Sequence, residues 1–111
     1  MKKKVFNKLV RDKIPEVIKN NNEIPFVKTL TEEENLIELN KKLQEEINEY
    51  LQADNSSQVE ELADVVEVIY GILKSKDISI EQFEQVRTSK KQKRGGFEQK
   101  VFLEYTLTDK D

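Results

Sequence analysis

Two amphipathic helical runs meet across the short break Asp54-Asn55-Ser56, and this pairing limits the possible folds more than any other feature of the chain. Thr31 followed three residues later by Glu34 is a capping-box signature. Leu36, Leu39, Leu43, Ile47, Tyr50 and Leu51 then mark one stripe of a long helix reaching about Ala53. Ser57 with Glu60 repeats the signature, and Val59, Leu62, Val66, Ile69 and Leu73 carry a second helix to the region of Lys74 and Lys76, where positive charge suits a C-terminus. So short a connection makes the two helices antiparallel neighbours.

The remaining punctuation predicts two further helices. Asp12 is placed to cap a first helix whose opening turn tolerates Pro15, and which ends near Asn20-Asn21-Asn22. Ile24 to Leu30, with Pro25, reads as an extended connector or short strand. Ser79 with Gln82 offers a third capping box for a helix through Ile80, Phe83 and Val86 into a Lys-rich stretch stopped by Gly95-Gly96. Beyond it Val101, Leu103, Tyr105 and Leu107 alternate with Glu104, Thr106 and Thr108, the period of a strand or extended tail. The expected fold is all-α: an antiparallel bundle of about four helices with a short C-terminal extended strand, in a single domain over residues 1–111. Only 36% of residues are hydrophobic, mean hydropathy is -0.73 and there is no Trp, so the core is thin and an obligate oligomer is expected to complete it.

The chemistry lies on the paired helices. Glu46-x-x-Glu49 and Glu61-x-x-Asp64 each project two carboxylates from one side of a helix. In a chain with 37% charged residues a single such pair is most simply a solvated face, as Glu32-Glu33-Glu34 is. These two pairs are different. Glu46 falls in the row Leu39, Leu43, Glu46, Tyr50, and Glu61 heads the row Glu61, Val65, Val68, Ile72. Both acids therefore point where apolar residues point. A carboxylate removed from water without a partner is strongly disfavoured, and no Lys or Arg lies between Lys42 and Lys74 to serve as one. A divalent metal resolves the conflict. Both pairs lie near the shared turn, so four carboxylates can meet.

With no Cys and no His, thiol and imidazole chemistry is excluded, along with zinc, haem and iron–sulfur readings. Oxygen donors alone suit Mg²⁺, with Mn²⁺ as the alternative. No apolar run is long enough to span a membrane, and the lysines after Met1 do not lead into a signal-peptide core, so a cytoplasmic protein is expected. Charge is segregated: residues 1–13 hold six bases against Asp12, residues 87–100 hold six against Glu98, and residues 29–86 carry fifteen acids and four bases. An acidic centre flanked by basic ends suits a phosphate-rich ligand bound as its metal complex. The net charge of -3 argues against nucleic acid, which is not expected as a partner.

The run Lys42-Leu43-Gln44-Glu45-Glu46-Ile47-Asn48-Glu49, followed by Glu61-Leu62-Ala63-Asp64-Val65-Val66-Glu67, resembles the EExxE…ExxD signature of the all-α nucleoside triphosphate pyrophosphohydrolases, which include MazG-type enzymes and phosphoribosyl-ATP pyrophosphohydrolase. Asn7-Lys8-Leu9-Val10-Arg11-Asp12-Lys13-Ile14-Pro15 and Arg94-Gly95-Gly96-Phe97 look like a branch of small, single-domain members, and the resemblance covers most of the chain. It implies that Glu46, Glu49, Glu61 and Asp64 are metal ligands and that Glu45 orients or deprotonates the attacking water. It further implies cleavage of a nucleoside triphosphate between the α- and β-phosphates, and a homodimer or dimer of dimers. Lys8, Arg11, Lys93 and Arg94 are candidates for holding phosphate, with Gly95-Gly96 allowing close backbone approach. Two alternatives stand beside this reading. One is hydrolysis of phosphoribosyl-ATP; the other is a non-catalytic helical interaction module in which the acids form a binding face.

Overall fold

The computed structural model describes residues 1–109. Among them are four helices, α1 (Ile14–Asn20), α2 (Glu32–Gln52), α3 (Gln58–Ser75) and α4 (Ile80–Arg94), and no strand. The fold is all-α. The chain forms two compact units, Met1–Ile80 and Glu81–Asp111.

The first unit is built on α2 and α3, which pack against each other as an antiparallel hairpin. Thr31 caps α2 as expected: its side chain accepts from Glu34 N at 3.1 Å, and Glu34 Oε1 accepts from Thr31 N at 3.0 Å. These bonds favour the charged form of Glu34 and hold its carboxyl below the usual range.

The start of α3 departs from the sequence reading. Ser57 occupies the N-cap position, but its side chain caps nothing. Asp54 organises the turn instead, its Oδ1 accepting from Ser56 Oγ at 2.8 Å and from Ser57 N at 3.2 Å. An aspartate oxygen reaching two or three residues forward closes this turn locally, so the serine is held as a donor. The expected cap of α1 is also corrected. Lys13 holds the N-cap position without a side-chain bond, and Ile14 N bonds Arg11 O at 3.0 Å. Pro15 in the first turn removes a donor that would otherwise need a cap.

Two helix ends close as Schellman motifs. At α3, Ile78 N bonds Leu73 O at 2.9 Å and Asp77 N bonds Lys74 O at 3.1 Å, with Asp77 at φ +57°. At α1, Glu23 N bonds Ile18 O and Asn22 N bonds Lys19 O, with Asn22 at φ +63°. Asn and Asp tolerate this left-handed conformation better than other side chains. Residues 23–30 then run irregularly to the α2 cap, as a connector without strand pairing.

The core is as thin as the composition implies. Among the described residues the buried apolar side chains are Leu39, Val68 and Leu73, and Glu46 is buried with them. Leu43 and Tyr50 are half-buried beside it, so the row containing Glu46 does face inward. The outer part of the α2 stripe does not: Ile47 and Leu51 are exposed, as are Val59, Leu62 and Val66 on α3.

The second unit consists of most of α4 and the residues after it. Arg87 pairs with Glu84 at 2.7 Å along α4, and Lys91, Lys93 and Arg94 fill its last turn. Gly95 follows at φ +84°, a conformation glycine adopts without strain. Residues 101–108, which alternate in sequence, form no ladder and are exposed. A strand requires a second strand to pair with, and no strand forms among the described residues.

Candidate metal centre

The hairpin brings the two acidic motifs together. Glu46 from α2 and Glu61 and Asp64 from α3 each offer a carboxylate oxygen, all within 4.8 Å of one another. The cause is local: three residues bring Glu61 and Asp64 to adjacent turns of one face, and the tight Asp54 turn folds that face onto α2. Glu46 retains only 8% of its exposure, whereas Glu61 and Asp64 are half-buried.

The electrostatics describe a site short of positive charge. Glu46 Oε2 and Glu61 Oε2 are both buried and have no hydrogen-bond partner. The Glu46 carboxyl is pushed above the usual range, first by burial and then by Glu49 and Asp64, with Lys42 pulling the other way. Glu61 is raised by removal from water, then by the charges of Glu49 and Asp64. Glu49 is exposed and lies outside the tight group of three, yet it bears on both Glu46 and Glu61. Two carboxylates can share a hydrogen bond only when one keeps its proton, so in the ionised state this proximity is repulsive.

Unpartnered buried oxygens among clustered carboxylates fit a hard divalent cation, which takes oxygen donors and supplies the missing charge. The donor set is entirely carboxylate, as Mg²⁺ and Mn²⁺ accept. Glu46, Glu61 and Asp64 would hold such an ion directly, with Glu49 beside them.

Two cations stand closer to the acids than the sequence suggested. Arg11, from the irregular segment before α1, places Nη2 2.7 Å from Asp64 Oδ1. Lys42 Nζ lies 3.7 Å from Glu46 Oε1, one turn back along α2. The expectation that the acids lack basic partners is therefore corrected for these two oxygens. Lys42 was legible, since four residues separate neighbours on one helical face. Arg11 carried no such signal, because 53 residues separate it from Asp64. Arg11 and Lys42 also line a groove of about 200 Å³, together with Glu46, Asp64 and Glu67, the apolar Leu39, Val68 and Gly71, and Leu9, Val10 and Asp12 of the N-terminal segment.

The other candidate residues are placed as follows. Glu45 is exposed on α2, next to Glu46 in sequence. Lys8 is exposed in the N-terminal segment. Lys93 and Arg94 belong to the second unit, where Arg94 joins Arg87, Lys90, Lys91 and the Gly95-Gly96-Phe97 turn around a shallow basic groove.

The sequence model of the phosphoribosyl-ATP pyrophosphohydrolase family matches residues 4–90, most of the chain. The chain belongs to this family. No curated protein and no solved structure matches it. Membership makes the chain a hydrolase acting on phosphoric anhydrides, with a nucleotide as its class of substrate. The matched span contains Arg11, both acidic motifs and the whole α2–α3 hairpin. Among the described residues no helix is long and apolar enough to cross a membrane.

Proposed function

We propose that this chain is a Mg²⁺-dependent nucleoside triphosphate pyrophosphohydrolase that cleaves the α–β phosphoanhydride, releasing the nucleoside monophosphate and pyrophosphate, and that it serves nucleotide-pool housekeeping in the cytoplasm. The observation carrying this reading is the pair of orphaned oxygens, Glu46 Oε2 and Glu61 Oε2, buried where three carboxylates converge. In this reading Glu46, Glu49, Glu61 and Asp64 hold the metal. When bound, Mg²⁺ polarises phosphate oxygens and stabilises the departing pyrophosphate.

The protein's own groups do the rest. Glu45, exposed on α2 and next to Glu46 in sequence, orients the attacking water or takes its proton. Arg11 and Lys8 bind phosphate oxygens from the N-terminal segment. Lys93 and Arg94, in the basic turn of the second unit, are further candidates for binding phosphate oxygens. A homodimer or dimer of dimers covers the apolar stripes that the hairpin leaves in water. No protein nucleophile is required.

A second reading is favoured by the family match itself: phosphoribosyl-ATP as the substrate. Its α–β anhydride makes the same demand on the carboxylates, so the two readings differ in what the groove accepts beyond the phosphates. Product analysis with Mg²⁺ and a panel of ribo-, deoxyribo- and modified nucleoside triphosphates, with phosphoribosyl-ATP included, tests both. Monophosphate and pyrophosphate formation that stops with EDTA and in Glu61→Gln supports the proposal, and the preferred substrate chooses between the readings. Absence of turnover across the panel points to the non-catalytic interaction module.

A further inference from the structure

Arg11 is the cation nearest the carboxylate cluster, and it is held there differently from Lys42. Lys42 sits on α2 with its side chain only 20% exposed, so its position is set by the helix. Arg11 belongs to an irregular segment, its side chain is 56% exposed, and it pairs with Asp64, itself 42% exposed. A half-exposed ion pair of this kind is weak and screened by salt. Ile14 N bonds Arg11 O, which anchors the backbone beside the site while leaving the guanidinium free to turn.

The same guanidinium faces two opposing demands. A positive charge 2.7 Å from Asp64 Oδ1 repels a divalent cation approaching that carboxylate and competes for the oxygen. A phosphate entering with the cation reverses this effect, because guanidinium pairs with phosphate oxygens in a bidentate, charge-assisted geometry stronger than an exposed carboxylate contact. Arg11, Lys42, Glu46 and Asp64 line one groove, so a phosphate entering it meets both cations.

We propose that Arg11 is an exchangeable counter-ion: Asp64 holds it while no phosphate is present, and it passes to the phosphates of an arriving metal complex. The site then discriminates against a bare divalent ion and in favour of one carrying phosphate. This rests on the carboxylate cluster being a divalent-metal site, and it adds an order to that site. Removing Arg11 therefore improves binding of the bare ion, by removing a repelling charge, and impairs binding of the phosphate, by removing its guanidinium partner.

The test uses the full chain with two probes, Mn²⁺ alone by isothermal titration calorimetry and radiolabelled inorganic pyrophosphate at saturating Mn²⁺ by equilibrium dialysis. In Arg11→Ala, affinity for Mn²⁺ alone is expected to rise, and affinity for pyrophosphate to fall, each by about fivefold or more. Lys13→Ala removes the same charge two residues away and is expected to change neither. Arg11→Lys keeps the charge, so Mn²⁺ affinity stays near that of the unmodified protein while pyrophosphate binding falls by less than in the alanine variant. Weaker Mn²⁺ binding in Arg11→Ala or in Arg11→Lys overturns the proposal, because it makes Arg11 a fixed support for Asp64. Unchanged affinity for both probes in Arg11→Ala overturns it as well. Failure of the metal reading looks different: neither the unmodified protein nor Arg11→Ala binds Mn²⁺, although both keep their helical circular dichroism.

Discussion

Lys42 Nζ faces Glu46 Oε1 at 3.7 Å across one turn of α2, while Oε2 of the same carboxylate is buried with no partner. One oxygen is therefore partly compensated and the other is not, and Glu49 and Asp64 add like charge nearby. Replacing Glu46 by Gln removes that repulsion at nearly constant volume. In EDTA at pH 7, Glu46→Gln is expected to melt above the unmodified protein, against the usual trend for substitution of a buried residue. With millimolar Mg²⁺ the order reverses, because binding to the native state stabilises only the protein that retains its ligands. At ten times the dissociation constant this linkage amounts to about 1.4 kcal/mol, enough to move Tm by several degrees in a domain of this size. Turnover in Glu46→Gln is expected to fall on the order of 100-fold or more, as loss of several kcal/mol of charge stabilisation implies. Thermal melts with and without Mg²⁺, paired with pyrophosphate release, check all three outcomes.

Gly71 of α3 lines the same groove and lies close against Leu39 of α2. A methyl at residue 71 would come 3.2 Å from Leu39 Cδ2. That is tight against a side chain in the small core, so Leu39 must shift slightly to admit an alanine. Gly71→Ala also gains helix propensity worth about 1 kcal/mol, and the two effects leave it near neutral. Gly71→Val adds bulk that Leu39 cannot yield to, and is expected to lose about 1–3 kcal/mol through overpacking. Chemical denaturation of both variants measures the difference. An equal loss in both would mean that backbone separation, and not side-chain volume, limits this position.

Asp54 predicts a pH dependence with a definite sign. Its bonds from Ser56 and Ser57 favour the ionised carboxyl and lower its pKa below the usual value. A depressed carboxylate contributes stability that is present above its unfolded-state value, about pH 4, and is lost as pH falls through the lower folded value. Asp54→Asn keeps an acceptor of the same shape but no charge. It is expected to melt below the unmodified protein at pH 7, with the gap closing below about pH 4. Parallel melts from pH 7 to pH 3 test this, and a gap independent of pH would show that geometry alone holds the turn.

The parts legible in the sequence were those encoded within about one helical turn. The reciprocal bonds of Thr31 and Glu34 were readable because both residues lie on one turn. The inward rows of Glu46 and Glu61 were readable because a helix repeats every 3.6 residues. The turn before α3 was misread for a competitive reason: Asp54 and Ser57 both had the chemistry to organise it, and the aspartate has the stronger acceptor. Arg11 illustrates the limit of local reading. Nothing near residue 11 indicates Asp64, and only the return of the chain past the hairpin joins them. The exposure of Ile47 and Leu51 was likewise hidden, since an apolar stripe does not reveal what covers it.

That uncovered stripe carries the last prediction. At 3.6 residues per turn, Ile37, Ile47 and Leu51 fall within about 80° of arc on α2, and Val59, Leu62 and Val66 within about 60° on α3. All six are exposed by 41% or more. The chain has too little buried apolar surface within the hairpin alone, so the proposed second copy is expected to cover this face. Val66→Glu places a charge there without lowering helix propensity, and an unpaired buried charge opposes association strongly. Light scattering after size-exclusion chromatography is expected to show the unmodified chain as a dimer or tetramer and Val66→Glu shifted towards monomer, with helical circular dichroism retained at concentrations where the pairs persist. A monomeric mass for the unmodified chain at tens of micromolar would remove the homo-oligomer from the proposal and leave the carboxylate site to be completed within one copy.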